Sequence, residues 1–103
     1  MESNKFKLKL TIYKKDQMRY FSQLDLVKIF DRALRRTHLP LYFTKGFNPH
    51  VKMSFKRALK LGVEGSVEVV FYFSEQISAS LLKERLMLQL PQGLQIITVE
   101  SNE

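Results

Sequence analysis

The sequence has 103 residues and contains no cysteine. Disulfide bonds, thiol nucleophiles and cysteine-ligated metal clusters are therefore excluded from this chain. Histidine is scarce as well, since only His38 and His50 occur, and no metal-ligand spacing, phosphate-binding loop or nucleophile motif accompanies them. A general base at His50 is the catalytic role left open, and a hydrogen-bonding loop histidine is the simpler interpretation.

Long hydrophobic runs are also missing. No apolar run approaches the roughly 18–20 residues that span a bilayer, and the start "MESNKFKLKL" lacks the apolar stretch of a signal peptide. We therefore expect a cytoplasmic protein with no membrane contact. The length suits a single domain over residues 1–103, and the apolar fraction of 45% is typical of a globular chain.

Charge is distributed unevenly along the chain, whose net charge is +7. Residues 1–60 carry 15 Lys and Arg side chains against 4 Asp and Glu, whereas residues 61–103 carry 2 against 6. A basic half of this kind is typical of proteins that bind an anionic macromolecule such as a nucleic acid. The simpler explanation is that a small protein needs net charge for solubility.

Two segments alternate apolar and polar residues, a pattern that predicts half-buried strands. The first is "FKLKLTIYK" at residues 6–14 and the second is "SVEVVFYF" at residues 66–73. We expect them to be neighbours in one antiparallel sheet whose apolar face is covered by helices. The residues predicted on the opposite, open face are Lys7, Lys9, Tyr13, Glu68 and Tyr72.

Helical periodicity follows in "SQLDLVKIFDRALRRTHLP" at residues 22–40, where Ser22 and Asp25 form an approximate capping box. A second helix is predicted in "SASLLKERLMLQL" at residues 78–90 and a last strand in "LQIITVE" at residues 94–100. Short strands flank a loop within residues 41–55. This order indicates an α+β fold, the ferredoxin-like βαββαβ plan with two helices on one sheet face and an extra small hairpin.

The first candidate surface is the basic side of the first helix. Lys28, Arg32 and Arg35 recur at spacings of four and three and therefore form one stripe, and Arg36 follows directly. Such a stripe can follow a phosphate backbone. The alternative is an ordinary solvated face with an ion pair between Asp31 and Arg35.

The open sheet face is the second candidate. RNA-binding modules of this architecture stack bases on aromatic side chains of central strands, and Tyr13 and Tyr72 can do this while Lys7 and Lys9 reach phosphates. The alternative is that Tyr and Lys are simply favourable residues on a solvent-facing strand.

The third candidate is the loop "TKGFNPHVKMSF" at residues 44–55. Gly46 can adopt a positive φ and Pro49 restricts its own φ, so the loop is expected to be stiff, with Phe47 anchored inward. Its polar residues are expected to face one concavity that suits a phosphate or another anion; they are Lys45, Asn48, His50 and Lys52. The alternative is a turn that serves only the chain reversal.

The segment "MRYFSQLDLVKIFDRALRRTHLPLYFTKGFNPHVKMSF" resembles the start of the radical-SAM-linked proteins, a bacterial domain of unknown function. The matching motifs are "RYFSQLD" at residues 19–25, the arginine-rich helix, "GFNPHVKMS" at residues 46–54 and "LGVE" at residues 61–64, with a further matching acid at Glu68. The resemblance covers about residues 8–100. It departs at Val51 and Lys60, where the family has proline, and at Gly65, where it has serine.

The resemblance implies an accessory role in an RNA- or ribosome-related process beside a radical-SAM partner. Iron–sulfur and S-adenosylmethionine chemistry would then belong to that partner, because this chain has no cysteine. We therefore expect a non-enzymatic RNA-binding domain without a cofactor of its own. The alternatives are a protein-docking module that presents a substrate to the partner and an RNA-processing enzyme that uses His50.

Overall fold

The computed structural model of the chain describes residues 5–57, 62 and 64–101 and consists of one four-stranded antiparallel sheet with two helices. A short 3-10 helix, Asp16–Tyr20, follows the first strand. The other elements in chain order are β1 (Phe6–Lys14), α1 (Gln23–Arg35), β2 (Met53–Arg57), β3 (Gly65–Phe73), α2 (Ala79–Met87) and β4 (Leu94–Ser101). Neither helix has the length and hydrophobicity that crossing a membrane requires.

The strands lie in the order β2-β3-β1-β4, and each is antiparallel to its neighbours. The register places Leu10 opposite Val69 and Lys9 opposite Val70. The prediction that the two alternating segments are sheet neighbours is therefore confirmed. A register shift between Thr11 and Ile12 interrupts the pairing of β1 with β4.

A single cluster of buried residues joins both helices to the same face of the sheet. Leu10 of β1, Phe30 of α1 and Leu82 of α2 all belong to it, and each is 0% exposed. The ring of Phe30 meets the edge of Phe71 at 5.5 Å between centroids and lies stacked 6.2 Å from Phe55. Both helices cover this face. On the opposite face, which we call the open face, Lys7 is exposed, Lys9 and Tyr72 are half-buried and Val70 is 0% exposed.

The start of α1 follows the sequence prediction closely. The Ser22 hydroxyl accepts the Asp25 N–H at 3.1 Å, and the Asp25 carboxylate accepts the Ser22 N–H at 2.9 Å, which completes the capping box. The hydrogen bond from the Ser22 N–H to the carboxylate is the main reason that the pKa of Asp25 lies below its usual range.

Lys14, the last residue of β1, is buried with 1% of its surface exposed. Its ammonium donates a hydrogen bond to the Phe21 carbonyl at 2.9 Å. Burial removes water from the ammonium and therefore lowers the pKa of Lys14 from its ordinary value. The alternation that turns Leu8, Leu10 and Ile12 inward places this lysine on the same side.

Lys14→Met is expected to change the pH dependence of stability. At pH values between the lowered pKa of Lys14 in the folded protein and its ordinary value of 10.5, the unfolded chain binds more protons than the folded protein. The stability of the native protein therefore rises with pH in this range. The difference in unfolding free energy between the native protein and the variant should therefore shift in favour of the native protein from pH 7 towards pH 10. Urea denaturation at both pH values measures it. Lys83→Met, at an exposed position of α2, is the control, and an identical trend in both variants would contradict the prediction.

Candidate functional site

The loop at residues 44–50, which we call the hairpin loop, is closed by backbone hydrogen bonds at its base. The Thr44 N–H donates to the His50 carbonyl at 2.8 Å, and the Lys52 N–H donates to the Tyr42 carbonyl at 2.8 Å. The Thr44 hydroxyl also accepts the His50 N–H at 3.0 Å. These bonds fix both ends of the loop relative to the sheet edge.

Helix α1 braces the same loop through Asp31 and Arg35. The Asp31 carboxylate accepts the Val51 N–H at 2.9 Å and pairs with the Arg35 Nε at 2.5 Å. Arg35 also donates to the Pro49 carbonyl at 3.1 Å, and its guanidinium lies 5.0 Å from the centroid of the Phe43 ring. The ion pair named as the simpler interpretation of the stripe is therefore present, and Arg35 is engaged in holding the loop.

The tip of the loop departs from prediction at Phe47. Gly46 has a φ of +126°, as expected, but Phe47 is fully exposed at 102% instead of being anchored inward. The prediction was wrong because hydrogen bonds between Thr44 and His50 close the loop and leave its tip exposed. Asn48 is exposed as well.

His50 and Lys52 do not share a concavity, which corrects a second prediction. The His50 side chain is 68% exposed and lies beside α1, with Nδ1 4.0 Å from Asp31 Oδ2. Lys52 instead lies over the open sheet face, with Nζ 5.1 Å from the centroid of the Tyr72 ring. The two side chains separate because Val51 between them is inserted into the core at 3% exposure.

The remaining basic residues of the first helix lie along a surface groove of about 590 Å³, which we call the α1 groove. Besides the Asp31–Arg35 pair, its lining consists of Leu24, Val27, Lys28, Arg32 and His50. Arg36 lies in an adjacent depression with Met18 and Pro91, and Arg32 lines both this depression and the groove. Within the described residues, no three His, Asp or Glu side chains are grouped as a metal site would require.

Lysine and tyrosine side chains gather on the open sheet face. The Tyr72 ring has Lys7 Nζ at 5.8 Å and Lys52 Nζ at 5.1 Å from its centroid, and its hydroxyl is 3.1 Å from that of Ser54. Lys5 Nζ lies 5.5 Å from the centroid of the Tyr42 ring. We call these residues the lysine–tyrosine patch.

A shallow pocket of about 260 Å³ adjoins this patch and brings Lys45 next to Lys5, Tyr42 and Lys52. The predicted site residues are thus divided between two sides of the molecule. Lys28, Arg32, Arg35 and His50 line the α1 groove, and Lys45 and Lys52 lie at the patch. Tyr42 and Lys5 were not among the predicted site residues. Tyr42 lies between the isolated bridge residues Leu41 and Phe43, in the segment "LYF" for which the sequence predicts a short strand.

Two of the sequence motifs meet at the end of the sheet. Arg19 donates to the Glu64 carboxylate at 3.1 Å, and the Gly62 N–H donates to the Arg19 carbonyl at 2.6 Å. Glu64 also accepts the Asp16 N–H at 3.0 Å, and this hydrogen bond is the main reason that the pKa of Glu64 is lowered. These residues of the motifs therefore have structural roles. The motif positions Lys60, Leu61 and Val63 lie outside the described residues.

A family model described as "Uncharacterized protein conserved in bacteria (DUF2344)" matches residues 7–103, and the chain therefore belongs to this family. The assignment agrees with the expected bacterial domain of unknown function. The chain has no significant match among curated proteins and none among solved structures.

Proposed function

We propose that this DUF2344 domain is a non-enzymatic accessory module that binds single-stranded RNA on its open sheet face. The observation that carries the proposal is the lysine–tyrosine patch, where Tyr42 and Tyr72 are each accompanied by lysines on the face that the helices leave uncovered. Aromatic rings that stack bases and cations that meet phosphates are the two parts of such a platform.

The lysines at the rings support this use because they can change partner. An exposed cation–π contact contributes only about 0.5–1 kcal/mol. A base that stacks on Tyr72 can therefore displace Lys7 and Lys52 from the ring, and their ammonium groups then reach the phosphates of the same nucleotide. Stacking contributes about 1–3 kcal/mol per base, which offsets the loss of the two cation–π contacts, about 1–2 kcal/mol together, and the phosphate contacts of the released lysines add to it.

The acidic residues of the sheet indicate the path that an RNA strand would take across it. Glu68 pairs with Lys9 at 4.0 Å, and Glu100 of β4 lies opposite Lys9 in the register. Glu100 therefore repels phosphate on the β4 side, whereas Glu68 lies on β3 and its charge is partly compensated by Lys9. The RNA would therefore run over β1, β3 and β2 towards the hairpin loop, where Lys45 and Lys52 lie.

The wider setting rests on the resemblance to radical-SAM-linked proteins. We propose that the domain works in the cytoplasm beside a radical-SAM partner, in an RNA- or ribosome-related process, and that the partner supplies the iron–sulfur and S-adenosylmethionine chemistry. We also propose that the fold is a variant of the ferredoxin-like plan; the strand order β2-β3-β1-β4 with antiparallel neighbours supports it.

Tyr72→Leu should weaken RNA binding while leaving the fold intact. Leucine keeps an apolar side chain at this half-buried strand position but cannot stack a base, so the dissociation constant should rise about 5- to 150-fold. Fluorescence anisotropy with a labelled mixed-sequence RNA of about 12 nucleotides measures it. Tyr20→Leu, the same substitution on the 3-10 helix, is the control and should bind like the native protein.

Two outcomes of this assay would reject the proposal. Equal losses of affinity in both tyrosine variants would mean that the rings act through stability and not through stacking. RNA that is cut by the pure protein, with cutting abolished in His50→Ala, would instead support the RNA-processing enzyme.

A further inference from the structure

We propose that the α1 groove is a docking site for an acidic amphipathic helix of a partner protein, separate from the RNA surface. The groove lies on the outer side of α1, whereas the lysine–tyrosine patch lies on the sheet face that the helices do not cover. This inference rests on other residues than the RNA-binding proposal and does not depend on it.

Exposed apolar side chains are the first reason to expect a polypeptide. Leu24 is 65% exposed and Val27 is half-buried, and both line the groove one helical turn apart. Neither belongs to the core cluster. A phosphate backbone would leave these side chains in water, whereas the apolar stripe of a helix covers them.

Charge complementarity specifies the sign of the partner. Lys28 and Arg32 lie four residues apart along the same groove, and His50 adds a third polar group from the hairpin loop. Asp31, the carboxylate in the described lining, is already bound to Arg35 and to the Val51 N–H. Asp25, one turn before Lys28 on α1, interacts with that lysine but is also held in the capping box. The lining itself therefore carries more positive than negative charge beside its apolar residues, and carboxylates spaced along a helix match it.

The shape of the groove favours a helix over an irregular segment. Its lining on α1 extends from Leu24 to Arg35, which corresponds to about 16 Å at 1.5 Å per residue. A helix of three turns laid along α1 covers this length. The bracing of the hairpin loop by Arg35 fixes the position of His50, so one wall of the groove is formed before the partner binds.

A peptide selection tests the proposal with the full chain. Peptides of about 16 residues, long enough for four helical turns, are selected by phage display and the enriched sequences are synthesised. We expect them to be acidic, with apolar residues at i and i+3 or i+4. Leu24→Asp and Arg32→Glu should each raise the peptide dissociation constant at least about tenfold, the effect expected of an interface contact worth more than 1 kcal/mol. Lys83→Glu on α2 is the matched control for charge and should have no effect.

Three results would overturn the proposal. Enriched peptides that lack acidic residues, or that ignore both groove variants, would reject the stated partner. Displacement of the peptide by single-stranded RNA, together with weaker RNA binding by Leu24→Asp, would assign the groove to RNA. A dimer in sedimentation that Leu24→Asp dissociates would assign it to a second copy of the chain. Tyr72→Leu should leave peptide binding unchanged, so this inference and the RNA proposal can fail separately.

Discussion

Phe30→Ala is expected to lower the free energy of unfolding by about 3–5 kcal/mol, as for other large-to-small substitutions of buried aromatic residues. Phe30 is 0% exposed and packs against both Phe71 and Phe55, so it joins α1 to two strands of the sheet. A chain of this size has a total stability of only about 5–15 kcal/mol. The melting temperature should therefore fall by more than about 10 °C, which circular dichroism during heating or urea denaturation measures.

Phe47→Ala provides the matched control for Phe30→Ala. The same substitution here removes a phenyl ring that is fully exposed at the tip of the hairpin loop. The free energy of unfolding should therefore change by no more than about 0.5 kcal/mol. Similar losses of stability in the two variants would show that the Phe47 ring packs against the protein in solution. They would also remove the basis for describing the loop tip as exposed.

The periodicity of apolar residues was sufficient to predict the sheet strands and the first helix, because an element with one buried face repeats its apolar residues at the spacing of that element. The alternation of β1 is the clearest case, since β1 and β3 are sheet neighbours as expected, with Leu10 opposite Val69. The same parity also turns Lys14 inward, a position that the residue type argues against because a lysine is rarely buried. The alternation thus predicts that Lys14 faces inward, whereas its residue type predicts that it is exposed.

The site was harder to predict because it depends on contacts between distant segments. The contact of Asp31 with the Val51 N–H joins residues 20 positions apart, and no periodicity reports how a hairpin folds over a helix. Lys52 is an intermediate case: the inward positions of Val51 and Met53 predict that it points to the open face. The hypothesis of a single anion site in the loop instead grouped Lys52 with His50.

The exposed tip of the hairpin loop shows why hydrophobicity alone misplaced Phe47. A phenylalanine between Gly46 and Asn48 was expected to anchor the loop, but the loop is held by polar groups instead, through Thr44, Arg35 and Asp31. Because these bonds make an apolar anchor unnecessary, the ring is left in solvent.

Charge reversal on the sheet face should produce the largest change in RNA binding. Lys7 and Lys52 flank Tyr72, and the double variant Lys7→Glu/Lys52→Glu puts repulsion where two phosphates would be neutralised. We expect affinity to fall at least about tenfold at low salt. The slope of log affinity against log salt should also flatten by about 1.4, because each phosphate neutralised on a single strand accounts for about 0.7 of the slope. Anisotropy titrations between about 50 and 200 mM salt measure both quantities.

The matched control is Lys28→Glu/Arg32→Glu, which makes the same change in net charge in the α1 groove. At physiological salt, charges act over about 8 Å, so this variant should bind RNA more tightly than the sheet-face variant and keep the native salt slope. Equal affinities of the two double variants would mean that RNA responds to net charge and not to the patch. Weaker binding by the groove variant would show that the basic stripe of α1, the first surface indicated by the sequence, is the one that follows the RNA backbone.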